Sequence, residues 1–151
     1  MAVFQVVKVG ENILRDKAME IKKINSNIHK LLDNMAETMY AAKGVGLAAP
    51  QIGVSKRAVV LDAGDGLIEL INPVIIEKSG KVVDREGCLS IPNVTGDVER
   101  AKRVVVEALD RNGVLKRYEA EDLLARIFQH EIDHLDGILF IDIAQKIYKD
   151  E

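Results

Sequence analysis

An α+β fold follows from this sequence, with antiparallel or mixed β-sheets packed around a central helix that carries an H-E-x-x-H pattern, and with a second helix near the N-terminus. Three observations lead there. Short β-rich runs are grouped between Lys56 and Tyr118 instead of alternating with helices, which argues against a parallel α/β sheet. The segments on either side carry apolar residues at helical spacing. At 151 residues the chain matches a single domain, 1–151, able to bury about two thirds of its unfolded surface.

The elements follow in order. Asn25 to Ala42 reads as a helix, because Ile28, Leu31, Leu32, Met35, Met39 and Tyr40 form an apolar stripe behind Ser26 as the expected cap, and Gly44 ends it. Strands are expected at Arg57–Leu61, Ile68–Ile76, Lys81–Val83, Val104–Leu109 and Val114–Tyr118. Gly64-Asp65-Gly66 and Arg111-Asn112-Gly113 are the turn signals, the second joining a hairpin. A second helix is expected from Leu123 to Leu135, with Asp122 as N-cap and Gly137 as its stop. Ile138–Ile141 is read as a last strand, followed by a frayed Lys149-Asp150-Glu151.

Composition narrows the function classes. The chain is 48% hydrophobic and 30% charged with no Trp, the balance of an ordinary globular protein. A net charge of −3, with Lys and Arg dispersed, gives no basic face for nucleic acid. The opening Met-Ala-Val-Phe-Gln-Val-Val-Lys has no signal-peptide pattern, and no run approaches eighteen apolar residues, so a cytoplasmic location without membrane contact is expected. The Asn93-Val94-Thr95 sequon is then accidental. One cysteine, Cys88, excludes an intrachain disulfide.

Chemistry concentrates in Gln129-His130-Glu131-Ile132-Asp133-His134-Leu135-Asp136-Gly137. On a helix, residues four apart share a face, so His130 and His134 can reach one metal ion with Glu131 beside them to move protons. Two solvated surface histidines would look the same. Yet two of the chain's three histidines stand here, on a segment with apolar residues at helical spacing. His29, on the first helix, is read as a partly exposed helix histidine and not a ligand.

Catalytic sites of this kind use three protein ligands and keep one position open. Phe140 occupies the place where one familiar extension puts a third histidine. Asp142 is a weak downstream alternative, and Cys88, between Gly87 and Pro92, is the stronger one. One thiolate and two neutral imidazoles leave a divalent ion with a residual positive charge, which lowers the pKa of bound water. Zinc, iron(II), cobalt and nickel all suit that donor set.

Three motifs, in order, now carry a resemblance: Gly44-Val45-Gly46-Leu47-Ala48-Ala49-Pro50-Gln51, Glu86-Gly87-Cys88-Leu89-Ser90 and Gln129-His130-Glu131-Ile132-Asp133-His134. With them the chain resembles the peptide deformylases, which remove the formyl group from the N-terminal formylmethionine of new polypeptides, over about Val7 to Asp142. The resemblance implies Cys88, His130 and His134 as metal ligands, iron(II) as the cellular metal with zinc, nickel or cobalt as substitutes, and Glu131 as general base and acid. It further implies the Gln51 amide and the Leu89 backbone N–H as oxyanion donors. Val45 and Gly46 would pair with the extended peptide, and Val45, Leu89, Leu123 and Ile127 would line the methionine pocket. Arg100 would help shape the substrate site, with a surface salt bridge as its equal alternative. The implied partners are N-formylmethionyl polypeptides, and the ribosome as they emerge. Two departures stand out: many members continue into a long C-terminal helix, and some have an apolar residue in place of Arg126.

Rival readings are weaker. Gly44-x-Gly46-x-x-Ala49 formally matches a dinucleotide fingerprint, but a helix precedes it and Pro50 opposes a helix beginning there. A copper electron carrier would want an axial Met, and the four Met residues, at 1, 19, 35 and 39, lie outside the motifs. A non-catalytic formyl-peptide binder would leave Glu131 and Gln51 without a task.

Overall fold

The computed structural model describes residues 2–150 and contains two antiparallel sheets and three α-helices. The larger sheet has strand order β1-β2-β3-β6-β7, built from β1 (Gly46–Ala48), β2 (Ala58–Leu61), β3 (Ile68–Ser79), β6 (Arg103–Leu109) and β7 (Leu115–Glu121). The smaller one has order β4-β5-β8, from β4 (Val82–Cys88), β5 (Ile91–Arg100) and β8 (Lys146–Lys149). No described helix is long and apolar enough to cross a membrane.

The run Ala58-Val59-Val60-Leu61 shows how the large sheet is covered. Alternate residues of a strand point to opposite faces, and all four are fully buried. Val59 and Leu61 join a cluster with Ala125, Phe128, Ile132 and Leu135 of helix α2 (Asp122–Leu135). Ala58 and Val60 join Ile28, Leu32, Met35 and Met39 of helix α1 (Ser26–Ala41) on the other face. Helix α2, which carries both motif histidines, is therefore a buried helix lying on the sheet.

Several expectations are corrected at element ends. Asn25, not Ser26, caps α1, its side chain accepting from the N–H groups of Asn27 and Ile28. Asp122 is the first residue of α2 rather than its cap. It sits at φ 56°, a conformation Asp tolerates, while its N–H donates to the Lys102 carbonyl at 2.9 Å. At the other end Gly137, at φ 75°, does stop α2, and a side chain there would run into the Arg15 carbonyl.

The larger corrections concern the small sheet. Strand β4 runs on from Val82 to Cys88, and β5 follows after the two-residue turn Leu89-Ser90. The polar stretch Ile91-Pro92-Asn93-Val94-Thr95-Gly96-Asp97-Val98-Glu99-Arg100 lacks an apolar run to betray a strand. Ile138–Ile141 is not a strand. Phe140–Ile143 forms the short helix α3, where the Asp142 carboxylate accepts from the Leu139 N–H at 2.9 Å and Leu139 and Phe140 fill the core beneath the small sheet. Lys149, expected to fray, pairs with Val94 in β8; Glu151 lies outside the described residues.

Candidate active site and metal centre

Helix α2 and the β4–β5 hairpin bring together three side chains that could hold a metal ion. The ligand atoms of Cys88, His130 and His134 all lie within 4.8 Å of one another. Cys88 Sγ is 3.3 Å from His134 Nε2, and His130 Nδ1 bonds the Glu86 carboxylate at 2.8 Å, which turns the opposite ring nitrogen toward the cluster. His134 is almost fully buried, and its Nδ1 has no hydrogen-bond partner among the described residues. A soft thiolate with two imidazoles fits a divalent transition metal. Asp142, the weaker alternative ligand, is instead paired with Arg15 at 2.5 Å, outside the cluster.

The electrostatics favour a cation. Burial, with the positive charges of His130 and Arg100, pushes the His134 imidazole well below its ordinary value, so it is neutral and able to coordinate. Burial alone would do the same to His130, but its bonds to Cys88 and Glu86 and the Glu131 charge outweigh that and lift it to about 10. A metal ion would take the place of that proton. Burial also opposes ionisation of Glu86, yet the bonds from Arg100 and His130 hold its carboxyl down at about 2. Glu86 is thus an anion behind the candidate ligand His130, the arrangement that fixes a ligand's orientation and raises its basicity.

Glu131 is buried beside the cluster, with Oε2 4.0 Å from His130 Nε2 and Oε1 unpartnered among the described residues. Burial raises its pKa to about 7, the His130 charge opposing. Room for it comes from Gly46, where an added Cβ would lie 2.6 Å from Glu131 Oε2. That is a second reason for glycine at this position, beyond close approach of a peptide.

Gln51 is 2% exposed in a 3-10 turn, Ala49–Ile52. Its Oε1 accepts from the Ala48 N–H at 2.9 Å, which leaves the Nε2 group to donate to Ser90 Oγ at 3.1 Å and toward Cys88 Sγ at 3.5 Å. The amide therefore has a fixed orientation, with its donor end on the cluster.

A cleft of about 480 Å³ opens onto this centre, and Val45, Gly46, Leu89, Leu123 and Ile127 line it together with Gln51, Cys88, His130 and Glu131. Val45 is half exposed, and β1, which follows it, is an edge strand of the large sheet. Arg100 is a correction: it does not line the cleft. It is buried behind His130, with both nitrogens Nε and Nη2 on Glu86 at 2.8 and 2.9 Å and Nη1 on Asp133 at 2.6 Å, so it is no surface salt bridge either. His29 is remote from the centre and bonds the Arg111 carbonyl.

Sequence reasoning passed over Glu86, Ser90 and Asp133 as working parts of the site, and it gave Arg126 no role. One signal was available for Arg126. It lies four residues before His130 on α2 and so shares its face. Nothing in a one-dimensional reading pairs it with Glu86, forty positions away.

Comparison with known proteins agrees with this geometry. The polypeptide deformylase family model matches residues 3–150. Peptide deformylase from Desulfitobacterium hafniense is 62% identical, over 97% of both chains. That from Carboxydothermus hydrogenoformans is also 62% identical, over 99% of this chain and 98% of its own. Among solved structures, the Thermotoga maritima peptide deformylase superposes with a TM-score of 0.93 at 42% identity, covering 95% of this chain and 98% of its own. The Synechococcus elongatus enzyme in complex with actinonin gives 0.92 at 41% identity, over 95% and 79%. The chain therefore belongs to the polypeptide deformylase family of metal-dependent enzymes.

Proposed function

We propose that residues 1–151 act as one catalytic domain that hydrolyses the N-formyl group of formylmethionine on newly made polypeptides, releasing formate. The observation that supports this most is Glu131, a buried carboxylate near pKa 7 with an unpartnered oxygen, facing the Cys88-His130-His134 cluster at the end of a peptide-sized cleft. When bound by those three residues, a divalent metal supplies the Lewis acidity that makes water nucleophilic near neutral pH.

The peptide adds to the open edge of β1 in extended form, with Val45 and Gly46 offering backbone groups. Its methionine side chain enters the apolar part of the cleft formed by Val45, Leu89, Leu123 and Ile127. Glu131 takes a proton from the attacking water as the new C–O bond forms, because a base is most effective when its pKa lies near the working pH. The negative charge that develops on the formyl oxygen is met by the Gln51 amide and the Leu89 backbone N–H. Glu131 then returns its proton to the nitrogen as the C–N bond breaks, leaving a free amine and formate.

The test is formate release from formyl-Met-Ala by anaerobically prepared iron(II) protein. Glu131→Gln should lose about 10²- to 10⁴-fold in turnover while keeping one metal per chain. Cys88→Ala should lose the metal itself. Unchanged turnover in Glu131→Gln would remove the general base from this account.

Iron(II) is the cellular metal in this proposal, with zinc, nickel and cobalt as working substitutes. A thiolate-bound iron(II) is oxidation-prone, so in air the iron form should lose activity faster than the zinc, nickel or cobalt forms. Equal lifetimes would count against iron. The substrate is a nascent chain, which makes the cytoplasm the compartment and the ribosome the neighbouring partner this reading calls for.

A further inference from the structure

Arg126 has no part in the chemistry above, yet it is buried beside it. It stands on α2 one turn before His130, and its guanidinium makes three bonds to the β4–β5 hairpin. Nη1 donates to Glu86 Oε2 at 2.5 Å and to the Val98 carbonyl at 2.9 Å, and Nη2 donates to the Val82 carbonyl at 2.8 Å. Val82 is on β4 and Val98 on β5. One side chain from α2 therefore holds both strands of the hairpin whose first strand ends at Cys88, together with the carboxylate that orients His130.

Apolar contact between α2 and the hairpin is thin, although Leu89, next to Cys88, packs against the α1 side of the large sheet. The core of the small sheet consists of Ile91, Val98, Leu139 and Phe140, with Cys88 and Val94 against it, and contains no apolar side chain of α2. The apolar side chains of α2 pack instead against β2, β3 and β6 of the large sheet. The thiolate and the two imidazoles thus come from bodies whose apolar cores are separate. Polar bonds join them: Arg126 as above, His130 to Glu86, Arg100 between Glu86 and Asp133, and Gln129 bonded to both backbone groups of Ala101, while Gln51 holds Ser90 from the large-sheet side.

Within that network Arg126 and Arg100 are not redundant. Arg100 grips both oxygens of Glu86 from β5, the neighbouring strand of the same hairpin, so its Glu86 bonds do not reach α2. Arg126 reaches Glu86 from α2, and it also takes two carbonyls of the hairpin. A planar fork of several donors can hold three acceptors at once, which an ammonium cannot do in the same geometry.

We propose that Arg126 is a positioning residue of the metal centre, setting the separation of Cys88 on the β4–β5 hairpin from His130 and His134 on α2. The proposal rests on the reading of those three residues as the ligand set. Arg126 also lines the cleft, but its proposed consequence lies in metal retention and coordination geometry.

Cobalt(II) is the probe, because a cobalt–thiolate bond has its own absorption band. Protein loaded with cobalt would be compared as wild type, Arg126→Met and Arg126→Lys, following that band and the rate of cobalt loss to EDTA, with cooperative unfolding as the check on folding. Arg126→Met, similar in length but without donors, should lose cobalt about 10- to 100-fold faster, as partners of ligand-orienting groups do, with a weakened or shifted thiolate band. Arg126→Lys should fall between the two. A wild-type band and loss rate in folded Arg126→Met overturns the proposal. Should Arg126→Met fail to fold, the same wild-type behaviour in Arg126→Lys overturns it. Absence of the thiolate band in the wild type would overturn the ligand set and this proposal together, whereas a variant-only result bears on Arg126 alone.

Discussion

The two sheets reach stability by different means, and the site lies where they meet. The large sheet is a sandwich of apolar contacts: Leu61, Leu70, Val104 and Val106 are fully buried against α2, and Val60 and Ile71 against the α1 side. The small sheet has a thin apolar core, and its charged groups Glu86 and Arg100 are buried, as is Arg126, which reaches them from α2, all under 9% exposed. Apolar burial is non-directional and tolerates small shifts, whereas bonds to a charged group specify direction and distance. The histidines come from the first kind of structure and the thiolate from the second. A metal centre needs both, since it requires a stable frame and a fixed separation across it.

Substitutions on each side would test that contrast. Glu86→Ala should have the largest effect, leaving two guanidinium groups buried without their carboxylate at a cost of about 3–5 kcal/mol. It should also weaken metal retention about 10- to 100-fold, because His130 loses its orienting partner. Urea unfolding and chelator competition read the two losses. Leu70→Ala, in the large-sheet core, should cost about 2–5 kcal/mol in the same unfolding experiment, while the folded protein holds its metal as firmly as wild type. If Leu70→Ala loosened the metal as much as Glu86→Ala, the division of labour between the sheets would be wrong.

The smallest effect is expected at Asp142, in the short helix under the small sheet. Burial opposes its ionisation, but the bonds from Arg15 and from the Leu139 N–H outweigh burial and lower its pKa. A carboxyl whose pKa is depressed on folding adds stability that is fully present above its unfolded value. That stability disappears as pH falls through the lower folded value. The pair is partly solvated, so the gain is that of an exposed ion pair, about 0–1 kcal/mol. Asp142→Asn should therefore lower stability slightly at neutral pH and converge with wild type in acid. A difference that persisted below the folded value would assign the effect to packing.

How much of this was legible in advance differs by region for the same reason. Strands β2, β3 and β6 and helices α1 and α2 were visible because apolar residues repeat at the period of the element that buries them. Strand β5 was not, since Pro92, Asn93, Thr95, Gly96 and Asp97 break any such pattern and its pairing comes from β4 and β8. Phe140 read as strand because a four-residue apolar run fits either element, and only the Asp142 bond to Leu139 and the space beneath the small sheet select the turn of helix. In the site, Cys88, His130, Glu131 and His134 were legible from residue type and spacing. Arg100 was misplaced, because nothing local tells a guanidinium that lines a cleft from one buried behind it.

By itself the sequence determined what acts locally: the helix that places two histidines on one face, the single cysteine as a soft candidate ligand and the apolar runs that build a two-faced sheet. Periodicity and side-chain chemistry are properties of neighbouring positions, so they survive in one dimension. Only the tertiary structure decided which charges meet. The bonds of Glu86 to Arg100, Arg126 and His130 join positions 14, 40 and 44 residues apart. The burial that moves Glu131 to about 7 depends equally on elements distant along the chain. Coulombic attraction and desolvation depend on distance in space and on exclusion of water, and neither exists until the two sheets close on the helix.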